Sequence, residues 1–358
     1  MKHAALLFGM ISLATFDTYS QNLTLRIDSL FKRYDAPDMP GASLMIIKDG
    51  AVFYKKAYGM ADIEARTPGT SSTCYRLASV TKQLTAMSVM ILVERKKLSY
   101  EDRLNDFFPD FPSCGRSITI RHILNHTSGL IAYEDLMPES TTVPLLDKDV
   151  LALLKKKDST YFAPGSEYRY SNSGYAVLAL IVEKISGMRF AQFLKENIFD
   201  PLGMASSVAY ENGISTVPNR AYGYSLRDST NEKSFFRTDQ SMTSSVLGDG
   251  GIYSSTEDLF KWDQSLYSPR IVSPQSLELA FTANILPDGK NSEYGFGWRI
   301  STYHDTRCLH HSGSTIGFRN EIQRYPEKHF SVIILTNRDA PDPGPLAYKI
   351  ADICLFGL

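Results

Sequence analysis

The sequence is poor in several features that would assign a function directly. Its 358 residues carry 38 lysines and arginines against 39 aspartates and glutamates, so no excess of positive charge favours a nucleic-acid partner. None of the four cysteines stands in a C-x-x-C pair, and no H-E-x-x-H occurs, so neither a metal nor a cofactor is expected. A G-x-S-x-G pentapeptide, which an α/β-hydrolase lipase requires, is also missing. The four cysteines allow three disulfide pairings, and burial as free thiols is an equal alternative. These cysteines are Cys74, Cys114, Cys308 and Cys354.

Long hydrophobic runs are scarce, and the clearest one stands at the N-terminus. A basic start is followed by the apolar stretch Ala4–Phe16 and then by small residues up to Ser20. This order is typical of an export signal, and it predicts that residues 1–20 are removed before Gln21. An ordinary buried helix is the alternative interpretation. We therefore expect an exported protein, periplasmic or secreted, with no membrane span. The sequence predicts no particular oligomeric state.

The pattern of predicted elements changes twice along the chain. A helix is predicted at 22–34, followed by a hairpin over Ala42–Tyr54 around an Asp-Gly turn. Helices predominate from 77 to 266, among them one over Val80–Glu94. Strands are predicted again over 295–301, 307–311, 318–325 and 330–336, before a last helix.

This order predicts an α+β fold. An antiparallel sheet flanked by helices would be formed by the N- and C-terminal parts, residues 21–76 and 290–358. A mostly helical lobe, about 77–289, would be inserted between them. Ligand sites commonly form in a cleft between two such parts.

The first candidate for chemistry is Ser79-Val80-Thr81-Lys82. Serine is a weak nucleophile unless a base lies beside it, and a lysine three residues along a helix shares its face. Partial desolvation would let this lysine take the serine proton. The pattern also occurs at Ser29 to Lys32, as chance alone would allow. Ser79 begins a strongly apolar helix, whereas Ser29 is predicted to lie on the solvent face of an amphipathic one. Ser79 is therefore the candidate nucleophile.

A second candidate is Tyr170-Ser171-Asn172, in a loop before an apolar helix. The structural interpretation is a helix N-cap, which Ser171, Asn172 or Ser173 would supply. The functional interpretation is compatible, because a capped loop is rigid. The phenol of Tyr170 would share the proton transfer with Lys82, and the amide of Asn172 would bind a substrate carbonyl or amide.

The third candidate is His311-Ser312-Gly313-Ser314, at the end of a predicted strand. Glycine in a strand often marks the close approach of a ligand. The backbone N–H of Ser314 would pair with that of Ser79 as an oxyanion hole. A packed histidine pair, formed by His310 and His311, is the structural alternative.

Together these three motifs resemble those of the serine β-lactamase-like and penicillin-binding-protein family. The resemblance is to the branch of class C β-lactamases, D-alanyl-D-alanine carboxypeptidases and esterases. The signature is S-x-x-K, then Y-x-N, then H-x-G or K-T-G. Further similar stretches are Asn125-His126-Thr127-Ser128-Gly129-Leu130, Pro201-Leu202-Gly203-Met204 and Gly248-Asp249-Gly250-Gly251. The resemblance extends from about Gly41 to Asn337 and implies a β-lactamase/transpeptidase-like fold.

The resemblance also implies roles. Ser79 would form an acyl-enzyme on an amide or ester bond, with Lys82 and Tyr170 moving the proton. Asn172, His311, Gly313 and Ser314 would contact a small-molecule or short-peptide substrate. His311 stands where many relatives carry lysine, so strong β-lactam hydrolysis is less expected than action on D-amino-acid peptides or small esters. A non-catalytic, penicillin-recognising sensor or binding protein of the same fold is the alternative.

Overall fold

The computed structural model describes residues 22–228 and 234–358. The predicted export segment 1–20, with cleavage before Gln21, lies outside the described residues. In the part of the chain that is described, no helix is long and apolar enough to cross a membrane.

The structure contains helices concentrated in the middle of the chain and strands concentrated at its ends. The helices are α1 (22–30), α2 (Thr81–Glu94), α3 (Leu104–Phe107), α4 (Ile120–Leu124), α5 (Tyr133–Leu136), α6 (Asp147–Leu154), α7 (Asn172–Ser186), α8 (Phe190–Leu194), α9 (Asp200–Leu202), α10 (Leu247–Gly250), α11 (Thr256–Ser265), α12 (Pro274–Ala280) and α13 (Gly344–Ala351). Short 3-10 or π turns occupy Ala78–Val80, Ser113–Ser117, Lys195–Phe199, Pro326–Lys328 and Asp352–Phe356. The strands are β1 (Ala42–Lys48), β2 (Ala51–Tyr58), β3 (Met60–Asp62), β4 (Thr67–Pro68), β5 (Tyr75–Arg76), β6 (Val208–Ala209), β7 (Tyr224–Leu226), β8 (Phe235–Arg237), β9 (Ile252–Ser254), β10 (Arg299–Tyr303), β11 (Thr306–Thr315), β12 (Phe318–Tyr325) and β13 (Phe330–Thr336).

The two ends of the chain form one antiparallel sheet. Its six strands lie in the order β10-β11-β12-β13-β1-β2, so the N-terminal hairpin pairs with the C-terminal meander. The contact between the two ends is the β1–β13 pair, in register from Ala42 opposite Thr336 to Lys48 opposite Phe330. The turn of the hairpin uses Asp49 and Gly50, both with positive φ, which suits the twist of a tight hairpin. The predicted mixed fold with an antiparallel sheet and helices is confirmed.

Both faces of the sheet are buried, and the alternation of side chains explains how. Leu44 and Ile46 of β1 pack on one face, in a core that includes Ile27 of α1 and Ile350 of α13. Met45, the residue between them, points to the opposite face and joins the larger core beneath the helical region. Because successive strand residues face opposite sides, a continuous apolar strand can serve two cores at once.

Helix α2 lies at the centre of the helical region. Every residue from Thr81 to Leu92 is buried, so the helix is enclosed on all sides. It packs against α7 and α10, which bring the Y-S-N and G-D-G-G stretches toward its N-terminus. The first turn of α2 is therefore a fixed point around which other elements assemble.

Some predicted boundaries were wrong, and the reasons are local. The first helix ends at 30 rather than 34. Ser79 lies in the 3-10 turn Ala78–Val80 that precedes α2. The strand predicted from 295 begins at Arg299, because Gly297 adopts φ +78 and a Cβ there would lie 2.7 Å from the Lys82 carbonyl oxygen. The strand predicted to end at His311 continues to Thr315, where pairing with Phe318 of β12 sustains it.

All four cysteines are free thiols. Cys74 and Cys308 are fully buried, and burial raises the pKa of each thiol to about 12. Of the two alternatives that the sequence left open, the structure therefore has the reduced one.

Candidate active site

Ser79 sits on a constrained turn at the mouth of a small pocket. The residue before it, Ala78, has φ +49, a left-handed conformation that costs energy for any residue with a Cβ. Ser79 is partly exposed, whereas Ala78 and Val80 are buried. The backbone thus presents one hydroxyl to a pocket of about 100 Å³.

Lys82 is fully buried and makes three hydrogen bonds. Its Nζ donates to Ser79 Oγ at 3.1 Å, to Asn172 Oδ1 at 2.8 Å and to the carbonyl oxygen of Asp249 at 2.8 Å. Three acceptors match the three N–H groups of an ammonium. A neutral amine in the same place would keep the two donors to Asn172 and Asp249 and direct its lone pair at Ser79. The geometry therefore suits a group that takes a proton from the serine.

Asn172 is oriented by partners on both ends of its amide. It begins α7, and Ser171 caps that helix by accepting from the N–H of Gly174 at 3.1 Å. The N-cap interpretation is thus correct for Ser171. The Asn172 Oδ1 accepts from Lys82, while its Nδ2 donates to Glu134 Oε1 at 2.7 Å. The Nδ2 group of Asn172 carries a second N–H in addition to the one that Glu134 accepts. Donation of this second N–H to a substrate carbonyl stays a prediction.

Tyr170 lies beside Lys82 but does not hydrogen-bond to it. The ammonium is 4.9 Å from the centroid of the phenol ring. Within the described residues, the buried Oη of Tyr170 has no hydrogen-bond partner. The structure therefore places the ring beside Lys82 and leaves the phenol hydroxyl without a partner among the described residues. The part of Tyr170 in proton transfer stays a prediction.

A cluster of aromatic and imidazole rings holds Tyr170 in place. The His126 ring lies 4.3 Å from that of Tyr170, and its Nδ1 accepts from the backbone N–H of Ser171 at 3.1 Å. His126 is completely buried at φ +63, and burial together with the nearby Lys82 holds its pKa well below 6.5. Its ring is therefore neutral. The sequence analysis noted the motif that contains His126 but gave it no role.

His311 belongs to the same cluster and is turned away from the solvent. Only 1% of its surface is exposed, and burial holds its pKa well below 6.5. Its Nδ1 lies 2.7 Å from the Ser312 carbonyl oxygen, and its Nε2 lies 2.9 Å from Tyr294 Oη. A carbonyl can only accept, so Nδ1 carries the proton and Nε2 accepts from the tyrosine. Both ring nitrogens are engaged, so direct substrate contact by His311 stays a prediction.

Gly313 allows strand β11 to lie against the turn that carries Ser79. A Cβ at this position would come within 2.0 Å of the Leu77 carbonyl oxygen. The close neighbour of this glycine within the protein is thus the turn itself, and contact of Gly313 with a substrate stays a prediction. The next residue, Ser314, is exposed and lines the same pocket as Ser79, which agrees with the predicted pairing of their N–H groups. The oxyanion hole itself stays a prediction.

Several residues at the site were missed by the sequence analysis. The pocket is also lined by Arg76, Tyr133, Glu134 and Asp249. Asp249 lies within the G-D-G-G stretch, and its buried side chain receives the Tyr133 hydroxyl at 3.1 Å. Burial raises its pKa to about 6, and Lys82 opposes this rise. No cluster of three or more potential ligand side chains that could hold a metal occurs in residues 22–228 and 234–358.

The sequence was compared with protein families and with known proteins. The model of the family described as Beta-lactamase matches residues 27–355. Penicillin-binding protein 4* of Bacillus subtilis (strain 168) is 33% identical over 350 residues, which cover 94% of this chain and 77% of that protein.

Solved structures agree with the fold. The octameric penicillin-binding protein homologue from Pyrococcus abyssi superimposes with a TM-score of 0.78 at 29% identity, covering 94% of this chain and 77% of that one. The D-amino acid amidase from Ochrobactrum anthropi SV3, complexed with D-phenylalanine, gives a TM-score of 0.72 at 23% identity, covering 88% and 92%. At that identity the likeness to the amidase concerns the fold alone.

Proposed function

Because the chain belongs to the beta-lactamase family, whose members are serine hydrolases acting on amide or ester bonds, we propose that Ser79 is its nucleophile and Lys82 its base. The observation that carries this proposal is the buried side-chain nitrogen of Lys82, which lies 3.1 Å from Ser79 Oγ at the mouth of the pocket. The second S-x-x-K pattern has no comparable geometry, since Ser29 and Lys32 are both exposed.

The reaction proceeds in two halves. Ser79 Oγ attacks the carbonyl carbon while its proton passes to the neutral amine of Lys82, with Tyr170 placed to relay it to the leaving group. The bond to the leaving nitrogen or oxygen then breaks, and an acyl-enzyme remains. Water then attacks this ester while Lys82 takes its proton, and the proton passes to Ser79 Oγ as the bond to the acyl group breaks and the acid product leaves. The N–H groups of Ser79 and Ser314 stabilise the oxyanion in both halves.

The electrostatics around His311 support a proposal for the substrate class. A buried imidazole whose pKa is lowered is neutral at pH 7 and supplies no fixed charge for a substrate carboxylate. The proposed substrates are therefore D-amino-acid peptides, amides or small esters, with β-lactams cleaved poorly. The protein is further proposed to be exported to the periplasm or the exterior.

A covalent probe tests this function. Purified protein without residues 1–20 is treated with a fluorescent fluorophosphonate, and p-nitrophenyl esters, D-alanyl peptides and nitrocefin are assayed for turnover. Labelling of the wild type and of Ser29→Ala, but not of Ser79→Ala, is expected, with faster turnover of esters or peptides than of nitrocefin. Binding of penicillin without any turnover would instead indicate a sensor, and labelling that persists in Ser79→Ala would refute the nucleophile.

A further inference from the structure

Asp147 is a buried carboxylate that holds a distant turn of the chain in place. It is the first residue of α6, and only 7% of its surface is exposed. Its Oδ2 accepts from the backbone N–H of Leu247 at 2.9 Å, and its Oδ1 accepts from that of Gly248 at 2.9 Å. Leu247 and Gly248 begin α10, so one side chain fixes two backbone groups of another helix.

The α10 turn in its own right supplies two carbonyl oxygens to α2. The carbonyl of Asp249 accepts from Lys82 Nζ at 2.8 Å, and that of Gly248 accepts from Thr85 Oγ1 at 2.7 Å. Gly248 also lies close against α7, where an added Cβ would collide with the Tyr175 carbonyl oxygen. Because α10 has only four residues, its position depends on such contacts with other elements.

We propose that Asp147 is a positioning residue for the reaction, which holds α10 so that the Asp249 carbonyl keeps Lys82 in line with Ser79. The inference rests on the proposed function, in which Lys82 is the base, and it adds a carboxylate that lines a separate cavity of about 380 Å³. The Asp249 carbonyl is one of three acceptors around Lys82 Nζ, so a shift of α10 would move this nitrogen relative to Ser79 Oγ. A misplacement of roughly 1 Å at a reacting group can cost about 10²-fold in rate.

The protonation state of Asp147 decides how well it can hold α10. An ionised carboxylate offers an acceptor oxygen to each of the two N–H groups, whereas protonation turns one of these oxygens into a hydroxyl donor. Burial raises the pKa of Asp147 to about 7, the hydrogen bonds from Gly248 and Leu247 oppose this rise, and the charges of Asp249 and Glu183 add to it. The hold on α10 is therefore strongest above pH 7, and it weakens as the pH falls through that value.

Other titratable and charged groups surround Asp147. They are Asp249 of α10, Glu183 of α7, Tyr133 of α5, and Lys148, Arg189, Tyr210 and Glu211, which line the same cavity. Arg189 and Glu211 form an ion pair at 2.6 Å, so their charges offset each other. Burial raises the pKa of Asp249 to about 6, so this group also titrates near neutrality. A comparison at each pH between proteins that differ only at Asp147 separates its titration from that of Asp249.

The test measures kcat and KM for a p-nitrophenyl ester between pH 6.5 and 8.5, with wild type and Asp147→Asn. The amide of asparagine has one acceptor oxygen, so this variant resembles the protonated wild type at every pH. The ratio of the wild-type kcat to that of Asp147→Asn is expected to be about ten-fold at pH 8.5 and to fall to about three-fold at pH 6.5. KM is expected to stay within about two-fold, because Asp147 is predicted to act on the base and not on the substrate.

Asp149→Asn is the matched control. Asp149 lies on the same helix, and its Oδ2 also accepts a backbone N–H, that of Leu146 at 2.9 Å, but this N–H belongs to its own chain segment. Its kcat is expected to follow that of the wild type at every pH. A ratio that changes with pH in Asp149→Asn as it does in Asp147→Asn would show a general effect of charge and would count against the inference.

Two further outcomes overturn the inference. One is a kcat ratio for Asp147→Asn that is the same at pH 6.5 and 8.5, which would mean that Asp147 has only a structural role. The other is an effect that appears in KM alone. If Asp147→Asn does not fold, the wild type and Asp147→Glu, which keeps a carboxylate, decide instead: both should lose about three-fold in kcat from pH 8.5 to 6.5, and a flat wild-type profile contradicts the inference. Failure of the proposed function gives a different result, since fluorophosphonate would then not label Ser79 in the wild type.

Discussion

Two regions of this molecule carry the same short pattern, and only one is arranged for chemistry. Ser79–Lys82 and Ser29–Lys32 each lie near a tyrosine whose buried hydroxyl has no partner in the described chain, Tyr170 and Tyr34 respectively. Each phenol ring also has a cation over it, Lys82 at 4.9 Å in the first region and Arg338 at 5.1 Å in the second. The cavity beside Ser29 has a volume of about 420 Å³, whereas the pocket beside Ser79 has a volume of about 100 Å³.

The difference lies in burial and in hydrogen bonds. Lys82 is inaccessible and hydrogen-bonded to its serine, whereas Lys32 is exposed and Ser29 Oγ donates to the carbonyl oxygen of Arg26 at 2.7 Å. Water weakens the interactions of an exposed lysine with its neighbours, and the hydroxyl of Ser29 is already engaged by the backbone. An S-x-x-K motif, a nearby tyrosine and a cavity are therefore not enough to identify a candidate active site. The region of Ser79 differs from that of Ser29 in that its lysine is buried and hydrogen-bonded to the serine.

The largest expected contrast is between the two serines. Ser79→Ala should lower kcat for ester hydrolysis by roughly 10⁴-fold or more, because no nucleophile remains to form the acyl-enzyme. Ser29→Ala should stay within about two-fold of wild type. Far-UV circular dichroism would check that both variants fold. Equal losses in the two variants would remove the distinction between the regions.

Substitution of the two lysines, Lys82 and Lys32, should give almost as large a difference in kcat. Lys82→Ala should cost about 10³-fold in kcat, as expected for loss of a general base. It should also destabilise the fold by about 1–3 kcal/mol, because Asn172 Oδ1 and the Asp249 carbonyl lose a buried donor. Lys32→Ala should change neither kinetics nor urea unfolding. A fully active Lys82→Ala would assign the base to another group.

The two tyrosines, Tyr170 and Tyr34, should also differ in their effect on kcat when the hydroxyl is removed. Tyr170→Phe should reduce kcat by about 10²-fold through loss of the proton relay. It should leave urea unfolding unchanged, because the deleted hydroxyl has no partner within the described residues. Tyr34→Phe removes an equally unpartnered hydroxyl from the other region and should have no effect on kcat. If Tyr170→Phe were as active as Tyr34→Phe, the phenol would have no part in the reaction.

Substitution of Gly313, the glycine that packs against the turn of Ser79, should have a smaller effect on both stability and rate. Gly313→Ala places a Cβ 2.0 Å from the Leu77 carbonyl oxygen, so β11 or the turn must shift. Destabilisation by about 1–3 kcal/mol and a roughly ten-fold loss of kcat are expected. Gly213→Ala is the control for a lost glycine, since nothing lies within 4 Å of a Cβ there, although its positive φ carries a strain of its own. Unaltered thermal unfolding and kcat in Gly313→Ala would contradict the close packing.

The smallest predicted effect is a slope in the pH dependence of stability. Because burial lowers the pKa of His311 in the folded state, the unfolded chain binds a proton first as pH falls below about 6.5, and stability is lost from there downward. His311→Gln should remove up to about 1.4 kcal/mol per pH unit of this slope between pH 6.5 and 5. Urea unfolding at several pH values measures it. Parallel curves for the two proteins would mean that the pKa of His311 is the same in the folded and the unfolded state.

The sequence analysis was most successful where local patterns and distant pairing agreed. Short apolar runs bounded by turn residues predicted strands β1 and β13, and their pairing into one sheet followed from the order of elements along the chain. It was less successful at turns: the left-handed residues Ala78 and Gly297 shape the site, and no local pattern marks an alanine for such a conformation. The contacts of Glu134 and Asp249 with the site join residues far apart in the chain, so no window of sequence contains them.

By itself, then, the sequence determined the chemistry available to this protein: a hydroxyl, an amine, a phenol and an amide in a recognisable order, carried on a mixed α and β framework. Only the tertiary structure decided which serine has a buried lysine beside it and that both nitrogens of His311 are engaged within the protein. It also decided that the Glu134 carboxylate accepts from Asn172 at the pocket that Ser79 lines. The physical reason is that desolvation and hydrogen-bond partnership depend on what packs around a group. Those neighbours come from segments brought together by folding.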